Sequence, residues 1–225
     1  MEKKPEPTSS SIDHVTKRPH SALWRWVRRI AFFFLALIVA VGLFVGYQLW
    51  GPVVTSGELT GLSKQNVQGT TDAPIRIVEF GDFGCPGCRR WHRSGVKQQV
   101  MEMYGDQVSF TYRHLPVVSE HSEVAAIAAQ CAGEQGAFWI YHDFLYEQAQ
   151  GLSEPQLTQY ALDLGLNTQA FETCLQSVEI SDYVERDKRS AFREGAIGTP
   201  AFFVNGHLVY GPSFEELQSL IEGLQ

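Results

Sequence analysis

Two cysteines three residues apart, Cys85 and Cys88, are the residues of this sequence best equipped for chemistry; they lie in Ile75 to Val100, IRIVEFGDFGCPGCRRWHRSGVKQQV. A CxxC pair can exchange a disulfide with another molecule, hold a structural bridge, or supply half of a tetrahedral zinc site. Zinc needs two further ligands, from a second CxxC or a His pair. The remaining cysteines, Cys131 and Cys174, stand alone on helical stretches, and no His pair has ligand spacing, so no metal is expected. A structural bridge across so tight a loop restrains the unfolded chain only modestly. A redox-active dithiol is the preferred reading.

The neighbouring residues suit that chemistry. The β-branched run Ile75 to Phe80 reads as a strand and stops at Gly81-Asp82-Phe83-Gly84, after which Cys85 opens a helical segment. At a helix N-terminus, unpaired N–H groups and the positive end of the dipole stabilise a thiolate. This makes Cys85 the nucleophile and Cys88, one turn inward and more buried, the resolving thiol. Pro86 suits a first helical position, where no N–H is needed. Arg89, Arg90, His92 and Arg93 follow; they either favour the thiolate by charge, steer partners, or form a solvated helix face.

These residues must be held by the elements around them. Gln65 to Gly69 reads as a short edge strand, Cys88 to Tyr104 as one helix with the broken stripe Trp91, Val96, Val100 and Met103, and Val108 to Leu115 as a strand stopped by Pro116. From Ser119 to about Arg193 the pattern is helical, with Ser153-Glu154-Pro155-Gln156 as a helix start and Asn167 as a cap. His114 and His121 read as loop or packing residues. Ala201 to Val204 and His207 to Tyr210 flank Asn205-Gly206, a strong hairpin signal, and Phe214 to Leu224 closes the chain as an amphipathic helix. A β-α-β crossover, a helical block, a hairpin and a last helix describe an α/β fold, a mixed central sheet with a helical insertion at about 119–182.

The N-terminal part is different in kind. Residues 1–29 form a polar tail with seven Lys/Arg against three acidic residues; since the 225-residue chain carries −7, the remainder carries −11. An acidic globular part does not suit nucleic acid. Residues 30–50, IAFFFLALIVAVGLFVGYQLW, are long and apolar enough to be a transmembrane anchor, and Arg25, Arg28 and Arg29 before it place the N-terminus in the cytoplasm. The alternative is a cleaved signal peptide cut near Val54-Thr55-Ser56, but its apolar region would be unusually long. A linker, 51–64, then leads to the domain at 65–225. Gly42 and Gly46 alone are weak ground for helix dimerisation, so a monomer is expected.

The strand, the CPGC helix, the helical insertion and the GTPAFFVNG segment together resemble the DsbA-type thiol oxidoreductases of bacteria, members of the thioredoxin superfamily. The resemblance covers about Gln65 to Gln225, and its two motifs occur in the family's order. It implies a thioredoxin-like fold in which Thr199-Pro200 is a cis peptide packed beside the dithiol, and substrate backbone is read by Thr199 and Pro200 together with Pro86 and Gly87. It implies a proton relay at Glu79, six residues before Cys85, and a second, structural disulfide between Cys131 and Cys174. The setting of Glu79 in IVEF agrees, because a carboxyl in a buried strand has a raised pKa; the alternative is a Glu pointing to solvent. Two buried free thiols are the alternative for Cys131 and Cys174. A bridge closing that loop would contribute about 4 kcal/mol in the chain-entropy model.

What the resemblance implies for function is an oxidase that donates the Cys85–Cys88 disulfide to reduced or unfolded exported proteins, with no cofactor. An integral-membrane, quinone-linked partner would reoxidise it, and the domain would sit outside the bacterial inner membrane. Gly87 inside the dipeptide, where strong oxidases have His, and Thr199 before the cis Pro keep a reductase or isomerase open. A non-catalytic tethered chaperone or metal-binding module is the alternative of another class.

Overall fold

The computed structural model describes residues 66–223 and, near the N-terminus, residues 26, 29–32, 34–39, 41 and 42. The chain divides into two units, Met1–Glu58 and Leu59–Gln225. In the first, the described residues are helical and their large apolar side chains, Phe32 and Ile38 among them, are exposed. Among the described residues no helix is long and apolar enough to cross a membrane. The rest of the expected 30–50 anchor, almost all of the 1–29 tail and the whole 51–64 linker lie outside the described residues.

The second unit carries a five-stranded sheet: β1 (Val67–Gly69), β2 (Ile75–Gly81), β3 (Val108–His114), β4 (Ala201–Val204) and β5 (His207–Tyr210), ordered β1-β3-β2-β4-β5. Only β2 and β3 run parallel; the other neighbours are antiparallel. The parallel pair needs a crossover, and α1 (Pro86–Arg93) with α2 (Val96–Tyr104) supplies it. Helices α3 (Ser122–Gly133), α4 (Phe138–Glu147), α5 (Glu154–Asp163) and α6 (Thr168–Leu175) form the inserted block. Helix α7 (Val178–Arg193) then leads back to β4, and α8 (Phe214–Glu222) closes the domain. The mixed sheet, the thioredoxin-like arrangement and the helical insertion are those the sequence implies.

Several local devices are visible. Ser153 and Ser213 make capping boxes with Gln156 and Glu216, and Asn167 and Ser177 cap α6 and α7 through their side chains. At the hairpin both Asn205 (φ 45°) and Gly206 (φ 91°) take the left-handed conformation that a tight two-residue turn demands.

The expected single helix over 88–104 is instead two. Gly95 adopts φ 74° and the Ser94 hydroxyl donates to the Trp91 carbonyl at 2.6 Å, which ends α1 and restarts the chain as α2. The break rotates the second segment. Val96 and Val100 stay buried, while Met103 turns out to solvent (56 % exposed) and Met101 and Tyr104 pack inward in its place.

Strand alternation then decides what lies under the dithiol. On β2, Ile75, Ile77 and Glu79 point to one face, whereas Val78 and Phe80 point to the other. The first face is covered by Trp91, Val96 and Val100 and by Leu217 and Ile221 of α8; the second packs Phe80 and Phe203 against Ala191 of α7. Glu79 is therefore directed beneath the active-site helix, and its burial follows from its register in the strand.

Candidate active site

Cys85 is the N-cap of α1, with Pro86 at the first helical position. Its backbone is extended, so Sγ turns back over the helix start and accepts the Cys88 N–H at 3.4 Å. A buried carboxylate fixes the turn that leads there. Asp82 Oδ1 accepts the Gly84 N–H at 2.7 Å, Oδ2 accepts the N–H groups of Val117 and Val118 at 2.8 Å each, and the Cys85 N–H donates to the Asp82 carbonyl at 3.0 Å. Three charge-assisted bonds offset the burial of that side chain and tie the dithiol turn to the loop after β3. In sequence Asp82 read only as a turn residue.

The second motif arrives from the far end of the domain. Thr199-Pro200 is cis, and the Thr199 carbonyl lies 3.4 Å from Cys85 Sγ. A Cβ on Gly87 would stand 3.4 Å from both Cys85 Sγ and Pro200 Cδ, which shows how closely the CPGC turn and this loop approach. The structure thus brings together Cys85, Cys88, Gly87, Thr199 and Pro200, with Pro86 exposed at the edge.

The electrostatics separate the two thiols, both of which are free. Cys85 is held down to about 5, chiefly by the Cys88 thiol donating to its sulfur, with the Thr199 hydroxyl and the Cys88 and Gly87 N–H groups adding against the cost of partial burial. The Thr199 hydroxyl makes no defined hydrogen bond, so the Cys88 amide is the firm contact. Cys88 is fully buried, and burial pushes its thiol far up. Glu79 is also buried, 2 % exposed, and desolvation raises its carboxyl to about 8, against the pull of Lys97. The solvent-facing alternative for Glu79 is excluded. A group poised near neutrality beside a thiol that must gain and lose a proton has the properties of a relay.

Lys97, Tyr112 and Tyr146, to which the sequence alone assigns no part, join the basic run after Cys88 around the dithiol. Lys97 on α2 is 5 % exposed, lies 4.4 Å from the Trp139 ring centroid and pairs with Asp143 at 3.8 Å; burial lowers its pKa. It sits one position along from Val96 and three before Val100, so a helical projection of this segment would have put it on the buried face. His92 is buried rather than solvated, and its Nε2 is 3.4 Å from Glu147. Arg89 and Arg93 donate to the carbonyls of Tyr146 and Glu147 at 3.1 and 2.6 Å, so of this group only Arg90 is both exposed and without such a bond. Tyr112 and Tyr146 share a hydrogen bond of 2.8 Å next to the dithiol, where Phe83 stacks on Tyr112.

Although no His pair has ligand spacing in sequence, the fold gathers His92, His142 and Asp143 into a group that could hold a metal ion. The Lys97 ammonium already stands beside that carboxylate as the balancing cation, and burial takes His142 down to about 3. His114 is buried and packs, its ring 3.2 Å from Gln130, and His121 is exposed in the loop before α3. Cys131 on α3 and Cys174 on α6 are joined in a disulfide across 43 residues within the inserted block, away from the dithiol sequence.

Comparison with known proteins gives a consistent picture. A family model described as thioredoxin matches residues 62–223. A probable disulfide bond formation protein D of Bacillus anthracis is 30% identical over 205 residues, which cover 84% of this chain and 92% of that protein. A Na(+)/H(+) antiporter NhaA of Herminiimonas arsenicoxydans is 36% identical over 146 residues, but these are 65% of this chain and 23% of the antiporter; the chain thus spans about a quarter of that relative's length. Among solved structures, a thioredoxin-like oxidoreductase from Silicibacter pomeroyi superposes with a TM-score of 0.64 at 28% identity, over 70% of this chain and 90% of that one.

Proposed function

Because the chain belongs to the thioredoxin family and is a DsbA-like thiol–disulfide oxidoreductase, we propose that it works in the oxidising direction, passing the Cys85–Cys88 disulfide to reduced exported proteins. The observation that carries this reading is the stabilised Cys85 thiolate, held by the groups of Cys88. Whatever stabilises the thiolate stabilises the reduced enzyme, and a stabilised reduced form makes the corresponding disulfide a stronger oxidant.

The steps follow from the geometry. A substrate thiolate attacks Cys85 Sγ; the new S–S bond forms as the Cys85–Cys88 bond breaks, and the electron pair leaves on Cys88. Buried Cys88 takes up a proton, with Glu79 as its donor. A second substrate thiolate then attacks the substrate sulfur of the mixed disulfide, and Cys85 departs as the thiolate its N-cap position favours. The substrate dithiol has lost two electrons and the enzyme pair has gained them. Backbone of the substrate lies against Thr199 and Pro200 on one side of the sulfur and Pro86 and Gly87 on the other. Return of the dithiol to the disulfide falls to a quinone-linked membrane protein, with Glu79 now accepting the Cys88 proton.

Gly87 and Thr199 favour a second reading, a reductase or isomerase. Gly87 adds only a backbone N–H to the thiolate where a cationic side chain would add charge. The reduction potential separates the two directions: an oxidising value is expected, and a thioredoxin-like one would make the enzyme a reductant.

The location belongs to the same proposal: a single-pass anchor at residues 30–50 in the bacterial inner membrane, tail inside and domain outside. What supports it is the uncharged 21-residue run preceded by three arginines, together with the exposed Ile30, Phe32, Phe34, Leu35, Leu37 and Ile38. A relative that carries the matching stretch within a Na(+)/H(+) antiporter supports attachment to a membrane as well. The full-length protein should stay in the membrane fraction through an alkaline carbonate wash, with the domain open to protease from outside. Release in the wash, with a mature N-terminus beyond Trp50, would refute the anchor.

A further inference from the structure

Gly87 faces the cis loop, while Pro86, the residue after Cys85, lines a groove whose lining also includes Phe83, Leu152, Arg89, Arg90 and His121 and contains no carboxylate. That is against the trend of the molecule, since everything after residue 29 carries a net −11. His121 lies 3.8 Å from the Glu120 carboxylate, so the two arginines carry the charge. Among the described residues neither Arg89 nor Arg90 pairs with a carboxylate. Arg89 is fixed through one nitrogen to the carbonyls of Tyr146 (3.1 Å) and Ala149 (3.5 Å), which leaves its other donors unengaged by those bonds and its position set in advance. A guanidinium ordered before binding loses little freedom when a carboxylate arrives.

We propose that this groove is a specificity site for an acidic residue flanking the cysteine of the substrate protein. Resting on the oxidoreductase reading, it narrows the substrate class to extended segments in which an Asp or Glu stands within two or three residues of the reactive thiol. The carboxylate meets Arg89 and Arg90 while the apolar part of the segment lies along Phe83 and Leu152. The net negative charge of the rest of the chain disfavours the same acidic segment elsewhere, so the groove also biases the direction in which a substrate lies across Cys85.

The test uses the full chain with Cys88→Ser and Cys85 carried as a mixed disulfide with thionitrobenzoate. A single-cysteine peptide attacks Cys85 Sγ, its S–S bond replaces the old one, and coloured thionitrobenzoate leaves. Peptides with Asp, Asn or Lys two residues from the cysteine, on either side, are compared after dividing by their rates with a small-molecule disulfide, which removes differences in peptide thiol reactivity. The Asp peptide should react roughly three- to tenfold faster than the Lys peptide at low ionic strength. High salt should shrink the ratio, Arg90→Gln should lower it partly, and Arg89→Gln with Arg90→Gln should bring it close to one. A ratio near one in the unsubstituted groove, or one unmoved by either arginine variant, overturns the specificity site while leaving thiol exchange intact. Failure of every peptide to displace thionitrobenzoate would instead overturn the oxidoreductase reading and the groove with it.

Discussion

Cys85→Ser abolishes thiol–disulfide exchange to the uncatalysed background, whereas Cys88→Ser leaves a protein that collects covalent adducts with its substrates. The asymmetry follows from the positions of the two sulfurs. Cys85 is the N-cap, keeps 7 % of its surface exposed where Cys88 keeps none, and is a thiolate at neutral pH, so it is the sulfur that meets a second molecule. Cys88 is fully buried with its thiol pushed far up, so it reaches nothing but Cys85. Without Cys88 the enzyme has no disulfide to donate, and a Cys85 that attacks a disulfide of an oxidised substrate has no neighbouring thiol to release the mixed disulfide, which persists. The check is turnover of a reduced test protein together with non-reducing gel shifts of each variant. A Cys85→Ser protein that retained full function would be a binding module and would contradict the assignment.

Glu79→Gln should change how stability depends on pH. In the unfolded chain this carboxyl titrates near 4.5, and in the folded protein near 8, because burial opposes its charge. Between those values the folded state holds a proton that the unfolded state has lost. Its contribution is fully present below 4.5 and is lost as pH rises through 8, with a slope of at most about 1.4 kcal/mol per pH unit. Gln has no such slope. Urea unfolding of the reduced protein from pH 4.5 to 9 should therefore show the variant gaining on the wild type until about pH 8 and running parallel above it. Curves parallel throughout would mean that Glu79 is not held neutral by the fold, and the relay would lose its physical basis.

Much of this site is legible in the sequence because it is local. The strand into Gly81, Pro86 at the helix start and the Asn205-Gly206 hairpin are each decided by a few adjacent residues. The resemblance supplied the rest of the outline, the cis Pro and the Cys131–Cys174 bridge, which no local pattern encodes. What stayed hidden depends on contacts far apart in the chain. Asp82 is a structural clamp only because Val117 and Val118 present their N–H groups to it, and although helical projection puts Lys97 toward the buried face, its partners Asp143 and Trp139 come from a distant helix. The break at Gly95 could have been suspected from a glycine in mid-helix; it matters because it decides which side of α2 packs on the sheet face of Ile75 and Ile77.

The direction of the reaction rests on one quantity. Reduced enzyme equilibrated with glutathione buffers at pH 7, with the Cys85–Cys88 state read by alkylation, gives the reduction potential of the pair. The Cys85 thiolate stabilises the reduced form, a contribution fully present above the unfolded thiol's value of 9.0, partly present at pH 7 and lost as pH falls through about 5. A potential toward the oxidising end is expected, nearer about −120 mV than about −270 mV, together with an equilibrium constant against glutathione that falls as the pH is taken down to 5. A value near about −270 mV would contradict the oxidising direction, since such an enzyme would withdraw disulfides from exported proteins instead of supplying them.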